Sequence, residues 1–558
     1  MPTTTFAEFA QRADYSLMDS LVADPQATAD GHDHQPRQVF SGHYVPVTPT
    51  PIAAPELVAH SRPFFDDLGL SEELLHDDQF LRLFSGDISA AQEPMRPFGW
   101  ATGYALSIYG TEYNQQCPFG TGNGYGDGRA ISVFEGIFQG QRWEMQLKGG
   151  GPTPYCRGAD GRAVLRSSVR EFLAQELMHA LGVPSSRSLT LVMSKADTVR
   201  RPWYAPNSPS FDPDILVDNP AAITTRVAPS FLRVGQLELF ARRVRRQAHP
   251  GALNELQLIT QHLIERNYRQ EIDPSLSFAD QVVELARLFR SRLTALVAQW
   301  IRVGYCQGNF NSDNCAAGGF TLDYGPFGFC ELFDPRFQPW TGGGEHFCFF
   351  NQPLAAEANY QMFWAALRLL LEDNSEARGR LDQLRDGFSA AMQQELEAMW
   401  ASKLGLASYD AELVNELLEL MVRSKADYTI LFRRLSTIPE HPSALDGAFY
   451  LPSSEQLDAA WEGWLGRWRH RLTGGGRDPR VIAEAMQRTN PAITWREWLI
   501  APAYEQAAQA DFSLINELQA VFSHPYERPS AELAARYDRL RPQAFFNAGG
   551  ISHYSCSS

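Results

Sequence analysis

The stretch Trp143-Glu144-Met145-Gln146-Leu147-Lys148-Gly149-Gly150-Gly151 decides the interpretation of this chain. Apolar and polar residues alternate from Trp143 to Leu147, which is typical of a half-buried strand. Lys148 stands at the end of that strand, and three glycines follow it. Residues 162–178 then place apolar side chains at helical spacing, so the pattern predicts a strand, a glycine turn and a helix in that order.

A strand lysine that pairs with a helix glutamate holds the phosphates of ATP in protein kinases. Lys148 is the candidate lysine, and Glu171 in the following helix is the candidate glutamate. On these two residues alone, a surface lysine and a solvated helix charge explain the pattern better than a site does. Other segments of the chain change that balance.

Length and composition restrict the class of protein. At 558 residues the chain is too long for one core, so we expect two to four domains. A hydrophobic content of 44% and a charged content of 20% are typical of globular proteins. The formal charge of −16 argues against nonspecific binding to nucleic acid, which requires a basic surface.

Targeting signals are the next constraint. No apolar run reaches the length of a membrane span, and the first residues lack a basic and an apolar signal region. The seven cysteines include no CxxC pair, which favours a reducing compartment over a disulfide scaffold or a zinc ribbon. We therefore expect no membrane partner and a cytoplasmic location, or a mitochondrial one if the source is eukaryotic, although no clear transit peptide is present.

A glycine-rich segment, residues 120–129, lies one predicted strand upstream of Lys148 and contains Gly126, Gly128 and Arg129. Glycines let backbone N–H groups approach phosphates closely, and a guanidinium binds phosphate through a fork of donors. An ordinary turn is the alternative. The position one strand before the lysine favours a phosphate-covering loop, as in a kinase N-lobe.

Two weaker indications of a ligand site are a turn before the predicted helix and a pair of arginines further along the chain. Asp160-Gly161 is a turn signal just before the predicted helix, with a helix-start turn and a ligand contact about equally supported. Arg226 and Arg233 are seven residues apart, so both can face one site, where they would suit a triphosphate. Ordinary surface arginines are the alternative. Residues 196–220 look like a polar, proline-rich insertion after a strand at 188–195.

Residues 304–329 form the second centre of the chain. A polar loop ends in Asp313-Asn314, and a short apolar strand leads to Asp323-Tyr324-Gly325. Asn314 and Asp323 offer hard oxygen donors for Mg²⁺, and Asp313 is a candidate base for an incoming hydroxyl. The alternative is a pair of Asx turns around a hairpin. Asp313 and Asn314 are adjacent, whereas ordinary kinases separate these two roles by four residues, so this is not an ordinary protein kinase.

Taken together, these segments resemble the selenoprotein O family of kinase-like protein AMPylases. The resemblance is carried by residues 126–131, 147–155, 159–172, 225–231, 311–314 and 322–329. It implies an α+β, protein-kinase-like two-lobe fold with an N-terminal arm and a helical C-terminal extension. The implied parts are an arm at 1–95, an N-lobe at 96–250 with the nucleotide loop, a C-lobe at 251–450 with the catalytic and metal-binding loops, and a helical region with a redox tail at 451–558.

The resemblance also implies roles for the residues and a reaction. Lys148 pairs with Glu171 and contacts phosphate, and Asp313 is the base. Nucleotide contacts are implied for a further set: Gly126, Gly128, Arg129, Asp160, Gly161, Arg226, Arg233 and Asp323. Asn314 and Asp323 would hold Mg²⁺, with Mn²⁺ as a possible substitute. ATP, bound in the inverted sense, would give its AMP to a Ser, Thr or Tyr hydroxyl of a protein substrate, and pyrophosphate would leave.

Some positions depart from the family pattern, and other functions stay open. Gln307 stands where a histidine is common, and the segment after Asp334-Pro335 lacks the usual Cys-Asn-His run. A kinase that transfers the γ-phosphate and an ATP-binding pseudokinase scaffold are the alternatives. Cys556, third from the end, matches a tail cysteine or selenocysteine of the family, and we expect it to form a disulfide with a partner that the sequence leaves open.

Overall fold

The fold is α+β: one large antiparallel sheet is combined with many α-helices. A computed structural model describes residues 2–103, 128–156, 160–474 and 476–555. Within these ranges, the apolar side chains of sheet and helices merge into one large buried cluster. No helix in the described part of the chain is long and apolar enough to cross a membrane.

Ten strands occur in the described residues. They are β1 (Val45–Val47), β2 (Pro55–His60), β3 (Gly99–Ala101), β4 (Ala130–Phe138), β5 (Gln141–Lys148), β6 (Ala163–Val164), β7 (Arg187–Trp203), β8 (Ile215–Ala228), β9 (Tyr305–Cys306) and β10 (Gly328–Phe329). The large sheet has the order β1-β3-β4-β5-β8-β7-β2, and β6 pairs with β8. β9 and β10 form a separate two-stranded sheet.

The helices follow the strands in sequence more often than they alternate with them. They are α1 (Phe6–Ala10), α2 (Ser16–Ser20), α3 (Arg62–Leu68), α4 (Asp78–Phe84), α5 (Leu165–Ala180), α6 (Val234–Arg245), α7 (Ala252–Leu263), α8 (Phe278–Val303), α9 (Gln352–Arg368), α10 (Ser375–Asp386), α11 (Phe388–Lys403), α12 (Ala411–Ser424), α13 (Tyr428–Leu435), α14 (Glu455–Thr473), α15 (Pro479–Thr489), α16 (Glu497–Ala507), α17 (Ser513–Phe522) and α18 (Ala531–Tyr537).

The strand that ends in Lys148 is more deeply buried than its alternating pattern predicts. β5 lies between β4 and β8, and its residues 144–148 are all buried. The N-terminal segment covers the neighbouring strand, where Phe9 packs on Phe134 of β4 with ring centroids 4.6 Å apart. Because both faces are covered, the polar side chains of β5 have to find partners inside the protein.

The predicted insertion at 196–220 is largely strand. β7 continues to Trp203 and β8 begins at Ile215, so the two strands form a long hairpin with register pairs out to Trp203 and Ile215. Several of these outer residues are exposed, so they lack the buried apolar alternation by which strands are recognised in a sequence. The predicted helix after the glycines is α5, which begins at Leu165, directly after the two-residue strand β6.

Candidate active site

Lys148 is a buried cation held by two carboxylates. It ends β5 with 8% of its surface exposed. Its Nζ lies 2.7 Å from Oε2 of Glu171 on α5 and donates to Oδ1 of Asp323 at 3.1 Å. The lysine and glutamate singled out in the sequence are therefore in contact, and the aspartate of Asp323-Tyr324-Gly325 joins them.

Arg226 completes this cluster from the neighbouring strand. It lies on β8 opposite Gln146 of β5, and its NH1 donates to Glu171 Oε1 at 3.3 Å and also to Asp323 Oδ1. Its Nε and NH2 both donate to Oε1 of Gln146, at 2.9 and 2.7 Å. The sequence interpretation missed Gln146, although it lies two residues before Lys148 and so projects from the same face of β5.

The electrostatics of the cluster fix the charge of Asp323. Burial raises the pKa of its carboxyl, but the positive charges of Lys148, Arg226 and Arg233 outweigh burial and hold the pKa well below its usual range. Asp323 is therefore a carboxylate in the folded protein. Its backbone carbonyl accepts from Nε2 of buried Gln307 at 3.0 Å, so Gln307 contacts the same residue.

The loop with Asp313 and Asn314 is a short 3₁₀ turn, Ser312–Asn314. Its backbone packs closely on α6, because a Cβ added at Gly235 would lie 3.2 Å from the Asp313 backbone nitrogen. Arg233 caps the start of α6 and is buried, and Val234 N donates to the carbonyl of Cys315 at 2.9 Å. The fold thus brings Arg233 beside the turn that carries Asp313.

Three glycine-containing segments meet at the end of β5. Gly149 N and Gly150 N donate to the Arg129 carbonyl at 2.8 and 3.3 Å, and Gly151 N donates to the Gly161 carbonyl at 3.1 Å. Gly161 has φ +71°, and a Cβ there would lie 2.1 Å from the Gly151 carbonyl carbon. The close approach excludes any residue with a side chain at Gly161. The hydrogen bonds among these segments make the predicted nucleotide segments neighbours of Lys148.

Gly128 and Asp160 complete the edge of this region. Gly128 has φ +65°, and a Cβ there would lie 2.4 Å from the Cys156 backbone nitrogen. Asp160 Oδ1 accepts from Arg162 N at 3.0 Å and from Arg201 NH2 at 2.6 Å. Burial raises the pKa of Asp160, but Arg201 and the Arg162 amide outweigh it and the net pKa is lowered. Two candidates, Gly126 and Cys556, lie outside the described residues.

A cavity beside Lys148 is lined by residues that the sequence interpretation did not select. The lining includes Arg166, Arg170, Trp203, Tyr324 and Tyr554. Arg166 lies over the Trp203 ring at 3.4 Å, and burial lowers its pKa to about 10. The clue available in the sequence was the helical spacing of Arg166 and Arg170, which places both on one face of α5.

Asn314 and Asp323 offer oxygen atoms of the kind that divalent cations bind. Asn314 donates through Nδ2 to the Asn309 carbonyl at 2.9 Å, which leaves its amide oxygen for a ligand. Lys148 and Arg226 both donate to Asp323 Oδ1. No group of three or more His, Cys, Asp and Glu in the described part of the chain could hold a metal. Mg²⁺ typically needs only one or two protein carboxylates together with substrate phosphates and water.

This arrangement defines the class of site. A buried lysine and two buried arginines surround one carboxylate, beside closely packed glycine-containing segments. An adjacent turn supplies a carboxylate, Asp313, that can accept a proton. Side chains of these types can bind phosphate groups and accept a proton.

Comparisons with known proteins identify the family. The sequence model of the family described as Protein adenylyltransferase SelO matches residues 31–523. The chain is 35% identical over 560 residues to the Protein nucleotidyltransferase YdiU of Methylobacillus flagellatus, covering 98% of this chain and 99% of that protein. A protein of the same name from Xanthomonas campestris pv. campestris is 38% identical over 525 residues, covering 92% and 94% of the two chains.

The chain belongs to the protein adenylyltransferase SelO family. The resemblance predicted from the sequence motifs is therefore confirmed, and so is the expectation of an enzyme of the nucleotidyltransferase class.

Proposed function

We propose that this protein transfers AMP from ATP to Ser, Thr or Tyr hydroxyls of protein substrates and releases pyrophosphate. The observation that carries the proposal is the buried contact among Lys148, Glu171, Asp323 and Arg226. Lysine and arginine side chains bind phosphate oxygens, so Lys148 and Arg226 suit a triphosphate better than a neutral ligand. The proposal includes a protein-kinase-like two-lobe arrangement, with the lobes, arm and helical extension bounded as predicted above.

The proposal assigns a role to each residue of the site. Lys148, Arg226 and Arg233 would bind phosphate oxygens, and Glu171 would orient Lys148 and Arg226 by accepting from both. Gly126, Gly128, Arg129, Asp160 and Gly161 would contribute further nucleotide contacts.

Asn314 and Asp323 would hold Mg²⁺ or Mn²⁺, which supplies charge stabilisation to the phosphates when bound. Asp313 would take the proton of the acceptor hydroxyl. The hydroxyl oxygen then forms a bond to the α-phosphorus, the bond to the bridging oxygen of pyrophosphate breaks, and AMP stays on the protein. Cys556 would act as a redox-active thiol of the tail.

The products distinguish this reaction from γ-phosphate transfer. Incubation with ATP and a protein mixture should release pyrophosphate, which a pyrophosphatase-coupled assay detects, and should not release stoichiometric ADP. Lys148→Met serves as the negative control, because loss of the ammonium removes the phosphate contact. Release of ADP without pyrophosphate would reject the proposal in favour of a kinase, and release of neither would favour a scaffold.

A further inference from the structure

Arg170, the residue before Glu171 on α5, contacts three separate parts of the chain. Its Nε donates to Oε1 of Glu497 at 2.8 Å, and its NH2 donates to the Phe327 carbonyl at 3.1 Å. Its guanidinium lies over the rings of Phe327 and Tyr554, 4.6 and 4.3 Å from their centroids. Burial and these contacts leave Arg170 a fixed, fully engaged cation.

The partners of Arg170 connect the site to the C-terminal region. Phe327 is four residues after Asp323 in the same loop. Glu497 is the first residue of α16, and Tyr554 is near the end of the chain. α16 and α17 also pack against α5. One side chain therefore links the helix of Glu171 to the loop of Asp323 and to the helix of Glu497, which lies 327 residues after Arg170 in the sequence.

The same region holds the end of α5. The carbonyl of Leu181, the residue that follows α5, accepts from the Tyr526 hydroxyl at 2.8 Å and from Arg302 NH2 at 2.6 Å. Carbonyls at a helix end need such partners when they are buried. Residues from the C-terminal region thus contact both the middle and the end of the helix that presents Glu171.

The contact between Arg170 and Glu497 is well built for positioning. Glu497 also accepts from the indole N–H of Trp495 through Oε2 at 2.9 Å, so its orientation is fixed by a second bond. Arg170 uses two different nitrogens on two different partners, a geometry that the single ammonium of lysine does not reproduce. Rotation of α5 would therefore break contacts to the Asp323 loop and to α16 together.

We propose that Arg170 is a positioning residue for nucleotide transfer, which holds Glu171 and the Asp323 loop in register by tying both to Glu497 of the C-terminal region. This inference rests on the proposed function for its activity readout. The C-terminal helices are then part of the catalytic unit, because they set the geometry of Lys148, Glu171 and Asp323.

The test compares Arg170→Met, Arg170→Lys, Glu497→Gln and the double variant Arg170→Met/Glu497→Gln. We expect Arg170→Met to lower kcat on the order of tenfold or more, since small misplacements of reacting groups are costly. Binding of ATP, measured by calorimetry, should change by less than about threefold, since Arg170 donates its hydrogen bonds to Glu497 and to the Phe327 carbonyl. The double variant should be no worse than Arg170→Met, because the two residues act through one contact.

The matched control is Glu176→Gln. Glu176 lies on the same helix and pairs with Arg187 of β7 at 2.8 Å, so its loss weakens the anchoring of α5 to the sheet without touching the Asp323 loop. Hydrogen exchange of α5 and of residues 323–329 is recorded well below the melting temperature. Under these conditions it reports local opening of the two segments and not global unfolding. Both segments should exchange faster in Arg170→Met, and residues 323–329 should be unchanged in Glu176→Gln.

The inference is overturned if Arg170→Met and Glu176→Gln lose activity only in proportion to their melting temperatures, or if the effects of Arg170→Met and Glu497→Gln add. If Arg170→Met does not fold, the activity and hydrogen exchange of Arg170→Lys and Glu497→Gln are compared with those of Glu176→Gln instead. A wild-type protein that transfers no nucleotide would reject the proposed function, whereas the exchange of residues 323–329 would still decide the role of Arg170.

Discussion

The ammonium of Lys148 and the carboxylate of Asp323 are 175 residues apart in sequence and 3.1 Å apart in the fold. Asp323 also accepts from Arg226 through the same oxygen, Oδ1. This contact joins the large sheet to the loop between β9 and β10.

The first prediction concerns pH. The folded pKa of Asp323 lies below the unfolded value of about 3.9, so its contribution to stability is complete above that value and is lost as pH falls through the folded pKa. The free energy of unfolding of the wild type, minus that of Asp323→Asn, should therefore shrink as pH falls below about 4. Urea titrations across that range measure it. A difference that stays constant or grows on acidification would contradict the lowered pKa.

The second prediction is that Asp323→Ala loses nearly all nucleotide transfer and keeps its fold. A group that holds a metal against phosphates contributes several kcal/mol to transfer, which corresponds to a loss on the order of a hundredfold or more. Circular dichroism checks the fold, and incorporation of labelled AMP checks the activity.

Asp334→Ala is the control for Asp323→Ala, because Asp334 lies eleven residues later, is exposed and only caps a turn by accepting from Arg336 N at 2.8 Å. The control should keep its activity. Substantial turnover by Asp323→Ala would show that this carboxylate does not hold the metal.

Much of the site is predictable from sequence because local rules act at each segment. Lys148 ends an apolar alternation, Glu171 lies on a periodic helix, and Asp323 follows a short apolar strand, so each type of element could be recognised. The order of these segments also carries the family resemblance, which the comparisons confirm. The helix α5 was expected from residue 162 and begins at Leu165, after a two-residue strand too short to leave a pattern.

The remaining features depend on contacts between distant segments. Gln146 and Arg226 meet because β5 and β8 are neighbours in the sheet. The sequence of a single strand does not determine which strand pairs with it. Arg170 and Glu497 meet through helix packing across more than half of the chain. The outer part of the β7–β8 hairpin is exposed, so it lacks the apolar periodicity that would have predicted strands at residues 196–220.

The third prediction is that Gln146→Met weakens the site without removing any charged group. Gln146 Oε1 accepts two bonds from Arg226, and the loss of two buried hydrogen bonds to a charged group costs about 1–3 kcal/mol. We expect kcat/KM for ATP to fall by about tenfold or more, as that free energy implies. Steady-state kinetics measures the effect.

Gln175→Met is the matched control for Gln146→Met. Gln175 is a buried glutamine on α5 that bonds the hydroxyls of Ser186 and Ser188, and Ser188 lies opposite Arg226 in the β7–β8 register. Its loss should lower the melting temperature by a similar amount and change kcat/KM less. Equal kinetic effects in the two variants would show that Gln146 serves stability alone.

The fourth prediction is that Glu171→Gln disturbs both cations of the cluster. Its two oxygens lie 2.7 Å from Lys148 Nζ and 3.3 Å from Arg226 NH1. Removal of its charge leaves two buried cations to share Asp323, so the affinity for ATP should change together with kcat. Calorimetry with ATP and single-turnover transfer measure the two effects. Unchanged ATP affinity together with full turnover would exclude an orienting role for Glu171.

The fifth prediction concerns Cys556. The five described cysteines, Cys156, Cys306, Cys315, Cys330 and Cys348, are all buried. Burial raises the pKa of the Cys306, Cys315, Cys330 and Cys348 thiols, which makes them poor nucleophiles in the folded state. Mild oxidation should therefore consume Cys556 before these thiols and change the activity.

Peptide mapping under non-reducing conditions, beside a Cys556→Ser variant, checks this order of reactivity. The variant should keep its basal transfer rate and lose the response to oxidant. An identical redox response in wild type and variant would show that Cys556 has no redox role.

The most direct measurement of the central claim follows two labels in parallel. The protein is incubated with a protein substrate mixture and Mg²⁺, and with ATP labelled either at the α-phosphate or at the γ-phosphate, and the label retained on protein is counted after denaturation. The account predicts that α-label is retained, that γ-label is not, and that chelation of Mg²⁺ or Lys148→Met abolishes the signal. Retention of γ-label without α-label would contradict it.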